Sequence, residues 1–295
     1  MSIPIDSQCI QCHLRRNLET ARRLGTEAQA TAFAKDLMKL YLSAPEDVSS
    51  PWLAPMTAEL FQKHYGTPED RFREEKEISN RYVLERLDGI RARVEGAEDS
   101  LLAGLRFAIL GNYIDFSALQ GQVSFEELDG LLDRAEEMTP AGDGYAHLRA
   151  DLQKAKRLLY LTDNAGEIGF DRIFAEEIAR AYPNLSITFC VRGEITANDA
   201  TREDAAAVGI PFPVIDNGNR IAGTQLDQLS DEARMALENA DVVIAKGMAN
   251  TETMWGCPYN VYYAFLVKCQ RFVTHFGKPM FTPLLVRQRE KEETQ

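Results

Sequence analysis

The stretch Leu158-Leu-Tyr-Leu-Thr-Asp-Asn-Ala-Gly-Glu167 decides the fold. Its apolar run reads as a strand that delivers Asp163 and Asn164 at its carboxyl end, before Gly166 and a helical run burying Ile168, Phe170 and Ile173. An acid and an amide at a strand tip make an oxygen-rich corner suited to a hard or borderline divalent cation. Taken alone, Asp-Asn-Ala-Gly reads better as an Asx-capped turn that starts a helix. The rest of the chain shifts that reading. A second strand-like run, Leu185 to Val191, leads through Arg192 and Gly193 to Asn198-Asp199. A third, Ala240 to Ala245, ends at Lys246-Gly247, with Asn250 and Glu252 just beyond. In an open parallel sheet such ends converge on one rim, where ligands of this architecture bind. Two carboxylates and amides can hold a cation there, and a lysine can neutralise a phosphate oxygen.

Upstream of this region the pattern is helical. Arg16 to Leu42, Pro55 to Tyr65, Asp70 to Glu95, Ser100 to Leu110 and Phe125 to Glu136 combine good helix formers with intermittent apolar positions. Thr139-Pro-Ala-Gly-Asp-Gly144 reads as a turn or hinge, after which strands and helices alternate. The expected organisation is therefore a helical part over residues 1–145 and an α/β part with a mainly parallel sheet over 146–295. Helices are expected at Ala200 to Val208 and Ser230 to Glu238, and a terminal strand within Lys278 to Leu285, placed at an edge by its prolines. The segment Arg287 to Gln295 is expected to fray.

Composition narrows the function. The 45 acidic against 33 basic side chains give a formal charge of −12, which argues against a general nucleic-acid surface. No early apolar stretch has the form of a signal peptide, and no run is long enough to suggest a membrane span, so a cytoplasmic protein without membrane partners is expected. Five cysteines in 295 residues do not make a secreted disulfide framework. None of the four histidines falls in a His-Glu-x-x-His arrangement, and a Gly-x-Ser-x-Gly elbow and a phosphate-binding Gly-x-x-x-x-Gly-Lys-Ser/Thr loop are both missing from the sequence. Any hydrolytic chemistry is then better assigned to a metal and carboxylates than to a serine or histidine system. No obligate protein partner is inferred.

Four segments carry a resemblance: Asp163-Asn-Ala-Gly-Glu167, Asn198-Asp199, Lys246-Gly-Met-Ala-Asn-Thr-Glu252, and Gly111-Asn-Tyr-Ile-Asp-Phe116. With the amino-terminal Cys9-Ile-Gln-Cys12, in this order and spacing, they make the chain resemble the damage-control phosphatases, long called domain of unknown function 89. The likeness is to the small bacterial and archaeal members with a Cys pair. It implies a Rossmann-like three-layer α/β part preceded by an α-helical subdomain, and a metal-dependent phosphatase acting on small phosphorylated metabolites such as sugar phosphates. It further implies support by Mn, Co or Ni; oxygen ligands by themselves favour Mg or Mn. The disputed carboxyl-methyltransferase activity of the wider family is the rival enzyme reading, with S-adenosylmethionine as cofactor. A non-enzymatic metal-binding regulatory module is the third.

On this reading Asp163, Asn164 and Asp199 hold the cation, and Asp163, Asp199 and Lys246 carry the chemistry. Either Asp163 attacks phosphorus covalently or a water does. The resemblance assigns Lys246 to phosphate contact, although a solvent-facing lysine is the ordinary state of that residue. Asn112 and Asp115, Glu167 and Asn198, and Asn250 and Glu252 are expected around substrate or ligands, with Asn112 and Asp115 facing the sheet from the helical part; the bland reading of this last pair is local capping of a glycine turn. Cys9, Cys12 and His13 form a candidate accessory metal site, against a redox pair or two inert buried thiols. Cys190, Cys257 and Cys269 read as core.

Overall fold

The computed structural model of the protein describes residues 2–68, 70–115 and 123–288, which leaves Phe116 and residues 289–295 of the tail expected to fray outside the described residues. The first two residues of that tail, Arg287 and Gln288, are ordered instead, Arg287 in the last strand and Gln288 N donating to Val261 O at 2.9 Å. The chain before the first strand forms α1 (Ser7–Leu24), α2 (Glu27–Ser43), α3 (Ala54–Tyr65), α4 (Arg73–Leu84), α5 (Leu87–Gly96), α6 (Ser100–Gly111), α7 (Phe125–Asp133) and α8 (Gly144–Leu152). Two long expected helices are each broken in two. Arg16 to Leu42 divides because Thr26 takes extended backbone and closes a capping box with Gln29, starting α2 afresh. The first helix begins earlier than expected, at Ser7, because Asp6 accepts the Cys9 N–H at 2.9 Å. Asp70 to Glu95 divides at Glu85-Arg86.

Strands and helices then alternate: β1 (Arg157–Leu161), α9 (Glu167–Ala181), β2 (Ser186–Val191), α10 (Arg202–Ala207), β3 (Val214–Asp216), α11 (Asp231–Glu238), β4 (Val242–Lys246), α12 (Gly247–Met254), β5 (Val261–Leu266), α13 (Gln270–Phe276) and β6 (Pro283–Arg287). The sheet order is β3-β2-β1-β4-β5-β6, parallel throughout except that β6 runs antiparallel beside β5 at the edge. A strand beginning with proline lacks one ladder N–H, which suits that edge position.

Alternation along the strands buries both faces. Leu158 and Tyr160 pack with Ile187, Phe189, Val242 and Ile244 under α6 and α9, while Leu159 and Leu161 pack with Val243, Ala245 and Tyr263 under α11 and α13. Helices thus cover the sheet on two sides, with each fully buried side chain of this size worth ~1.5–3 kcal/mol. A smaller core, Phe33, Leu37 and Phe61 with Ala21 and Ala30, ties α1, α2 and α3 together. Among the described residues no helix is long and apolar enough to cross a membrane. From β1 the chain winds outward through β2 and β3, then returns to β4 on the other side of β1. That reversal opens a crevice at the carboxyl ends of β1 and β4, where parallel sheets bind ligands.

Candidate active site

The β1 tip is locked to the β2 tip by backbone pairing beyond the strands themselves. Ala200 N donates to Asp163 O at 2.8 Å, Ala165 N donates to Asn198 O at 2.9 Å, and Asn164 and Asp199 form an antiparallel bridge. Three residues expected to act together, Asp163, Asn164 and Asp199, are thereby presented side by side and buried. Side chains complete the cluster. Asn164 Nδ2 donates to Asp163 Oδ2 (2.9 Å) and Glu167 Oε2 (2.7 Å), and Asn198 Nδ2 donates to Asn164 Oδ1 (2.8 Å). The side-chain amide oxygen of Asn198, Oδ1, is buried with no hydrogen-bond partner among the described residues.

The helical part enters from above. Asn112, just past α6, donates to Asp163 Oδ2 at 2.9 Å and to both Glu167 oxygens at 3.0 and 3.1 Å. Lys268, just past β5, donates to Asn112 O at 2.7 Å and Asp115 Oδ2 at 2.6 Å. From the β4 side, Gly247 lies so close that an added Cβ would stand 1.9 Å from Asp163 Oδ2, and its φ of +79° is one that side chains rarely adopt. Asn250 holds the two central strand tips together by donating to Thr162 O (3.0 Å) and Lys246 O (2.6 Å).

Lys246 points inward. Its ammonium donates at 2.7 Å to each of Ala108 O, Glu167 Oε1 and Asp171 Oδ1, which uses all three N–H bonds. Burial would depress this lysine, but Asp171 and Glu167 outweigh it and push it up to about 12. Asp171 is pushed up to about 7 by burial, against the pull of Lys246. Arg192, fully buried, donates to Asp199 Oδ2 at 2.7 Å and Thr162 O at 3.2 Å, with Asp163 Oδ1 3.9 Å away.

Acid exceeds base in this dry corner. Asp163 is pushed well above the usual carboxylate range, first by burial and then by the charges of Glu167 and Asp199, with Lys268 opposing. Burial also raises Asp199, opposed by Arg192. A divalent cation would relieve that crowding, and the unpartnered Asn198 Oδ1 is an acceptor that such a group would satisfy. The donor set therefore fits a cation, although it is built of two carboxylates and amides. Among the described residues, no three or more His, Cys, Asp and Glu side chains are grouped to hold a metal ion.

Two further expectations separate from this cluster. Glu252, on α12, faces Asp6 and Arg271, and its backbone oxygen accepts from Ile3 N at 2.8 Å. Cys9, Cys12 and His13 lie one helical turn apart on α1, where Arg271 Nη1 meets Cys9 Sγ at 2.9 Å and the His13 Nδ1 pairs with the Tyr41 hydroxyl. Burial and the Arg16 charge lower His13 to about 4, leaving it neutral. Cys190 and Cys257 are buried as expected, whereas Cys269 is only half-buried.

Sequence reasoning missed Arg192, Lys268 and Asp171 as members of the site. Arg192 and Lys268 obey the strand-end rule that selected Lys246, each following the carboxyl end of its strand. Asp171 lies four residues after Glu167 on α9 and so shares its face.

Several known proteins are similar to this chain. Residues 5–282 match the damage-control phosphatase ARMT1-like domain. The chain is 29% identical over 288 residues to an uncharacterized protein of Methanocaldococcus jannaschii, covering 94% of this chain and 93% of that one. It is 34% identical over 214 residues to a damage-control phosphatase of Archaeoglobus fulgidus, covering 71% and 73% of the two chains. The crystal structure of a DUF89 family protein from Pyrococcus horikoshii superposes with a TM-score of 0.83 at 26% identity, covering 97% of this chain and 99% of that chain. The protein belongs to the damage-control phosphatase family. That membership is consistent with phosphatase-type hydrolysis.

Proposed function

We propose that the protein is a cytoplasmic, metal-dependent phosphomonoester hydrolase acting on small phosphorylated metabolites such as sugar phosphates. The observation that carries this reading is the buried convergence of Asp163, Asn164 and Asp199 at the sheet's reversal point, beside the unpartnered side-chain Oδ1 of Asn198. Asp163, Asn164 and Asp199 would hold one divalent cation, with Mn, Co, Ni or Mg as candidates. When bound, such an ion supplies Lewis-acid polarisation of a phosphoryl oxygen.

The chain's own groups do the rest. Asn112 and Asn164, bonded to both Asp163 and Glu167, fix the direction of the Asp163 carboxylate. Lys246 secures Glu167 from beneath, so the phosphate contact expected of it passes to Lys268, whose ammonium has two acceptors among the described residues and one further N–H. Phosphorus is attacked by water, or by Asp163 with water then cleaving the phosphoaspartate; the ester P–O bond breaks, and in the net reaction the water supplies the proton that the departing alkoxide takes up. Trapping a phosphorylated Asp163 assigns the covalent route. The helical part, residues 1–145, and the α/β part, 146–295, act as two sides of one site, since Asn112, just past α6, bonds Asp163 at the β1 tip and Asp115 bonds Lys268 just past β5.

Phosphate release from a panel of sugar phosphates, with and without Mn, Co, Ni or Mg, tests the reading. Cation-dependent release is expected. Activity requiring only S-adenosylmethionine would replace it with methyl transfer, and inactivity throughout would favour a regulatory module.

A further inference from the structure

The face of α4 that carries Lys76, Ser79 and Asn80 lies on the two loops that present the proposed cation ligands. These residues are three and four positions apart, so they share one side of the helix. Asn80 is buried, and its amide is used at both ends: Oδ1 accepts from Gly166 N at 2.7 Å, and Nδ2 donates to Asp204 Oδ1 at 2.9 Å. Gly166 follows Asn164 by two residues in the β1–α9 loop. Asp204 lies in the first turn of α10, where its side chain accepts from Thr201 N at 2.8 Å and so ties the helix to the loop that carries Asp199. Lys76 Nζ grips the second Asp204 oxygen at 2.7 Å. Contact with the helix is close. Gly166 has φ +76°, and an added Cβ there would stand 2.7 Å from Ser79 Cβ.

We infer that Asn80 is a positioning residue: by spanning Gly166 and Asp204 it sets the distance between Asp163–Asn164 and Asp199, and so the affinity of the site for its cation. This rests on the cation reading proposed above. Groups that orient metal ligands change metal affinity about 10–100-fold when removed, without touching the metal. Alanine at position 80 leaves Gly166 N and the Asp204 carboxylate short of a partner and frees the two loops to separate. Lys76 supports the same bridge from one end only, so its removal has a smaller effect in the same direction.

The experiment is a Mn titration of phosphate release, with calorimetric Mn binding in parallel, on wild type, Asn80→Ala and Lys76→Met. For Asn80→Ala the Mn concentration at half-maximal turnover and the Mn Kd are both expected to rise about 10-fold or more, with kcat at saturating Mn falling less than about threefold. Lys76→Met is expected to raise both about threefold, and it carries the test if Asn80→Ala does not fold. Loss of kcat or Tm with an unmoved Mn dependence would make Asn80 merely structural and overturn the inference while leaving the cation reading intact. Cation-independent turnover by wild type would overturn the reading, and the inference with it.

Discussion

Two corners of this molecule were marked for metal by their sequence, and they are built in opposite ways. At the β1 tip, ligands arrive from separate elements and are held by side-chain amides, with Oδ1 of Asn198 unpartnered among the described residues. At the start of α1, Cys9, Cys12 and His13 are neighbours on a single helix, and two of them already have partners in Arg271 and Tyr41. Local spacing places groups on one face, whereas convergence from distant elements surrounds a point. Only the second creates a pocket of excess charge that an ion would relieve.

The largest stability effect should come from the ion pair beneath the catalytic corner. Lys246→Met would leave Glu167 and Asp171 buried without their shared cation, at a cost of ~3–5 kcal/mol. Urea unfolding measures it, and a loss under about 1 kcal/mol would mean the carboxylates find other compensation. Gly247→Ala acts on position rather than charge. Its Cβ would collide with Asp163 and occupy a disfavoured φ, which predicts ~1–3 kcal/mol of destabilisation and roughly a hundredfold lower turnover. Normal turnover in Gly247→Ala would show that the Asp163 carboxylate need not sit where the fold holds it.

The thiol corner is expected to respond through pH and only weakly to mutation. Glu252 is pushed up to about 8 by burial, with Arg271 opposing and Asp6 adding to it. Because the folded value lies above the unfolded one, this group's contribution is fully present below the ordinary value of 4.5 and is lost as pH rises through about 8. Glu252→Gln cannot ionise, so its Tm relative to wild type should climb by ~5–10 °C between about pH 6 and about pH 9. A difference that is flat with pH would break this assignment. Smallest of all, replacing Cys9 and Cys12 together by Ser should keep turnover within about twofold and lower Tm by only ~2–4 °C. Metal analysis under reducing conditions sharpens the comparison, because loss of one bound transition ion would identify a second metal centre there.

Much of this architecture was legible before the coordinates. The apolar run into Asp163 declared β1, and the repeat of acid, amide and lysine at successive strand ends declared a rim. The fifth strand escaped because Val261-Tyr-Tyr-Ala-Phe-Leu266 is buried on both faces, which erases the alternation that identifies a half-exposed strand. Lys268 was lost with it. The break between α1 and α2 was written in the sequence as Thr26-x-x-Gln29, a capping box, but was hidden inside a longer helical pattern. Asn80 had no local signature: its importance depends on Gly166 and Asp204, more than 80 residues away in the chain and adjacent only in the fold. The direction of Lys246 was equally unreadable, since a strand-end lysine can turn toward solvent or inward, and the choice is made by Glu167 and Asp171 on a different element.

The central claim is that Asp163 anchors a cation on which hydrolysis depends. Calorimetric titration of Mn into wild type and Asp163→Ala, run in buffers of different ionisation enthalpy, tests it most directly. Burial and the neighbouring carboxylates favour the protonated form of Asp163, so binding should displace a proton. The account predicts one Mn per wild-type chain with buffer-dependent heat, and neither binding nor phosphate release by a folded Asp163→Ala protein. Undiminished Mn binding and turnover in that variant would contradict it.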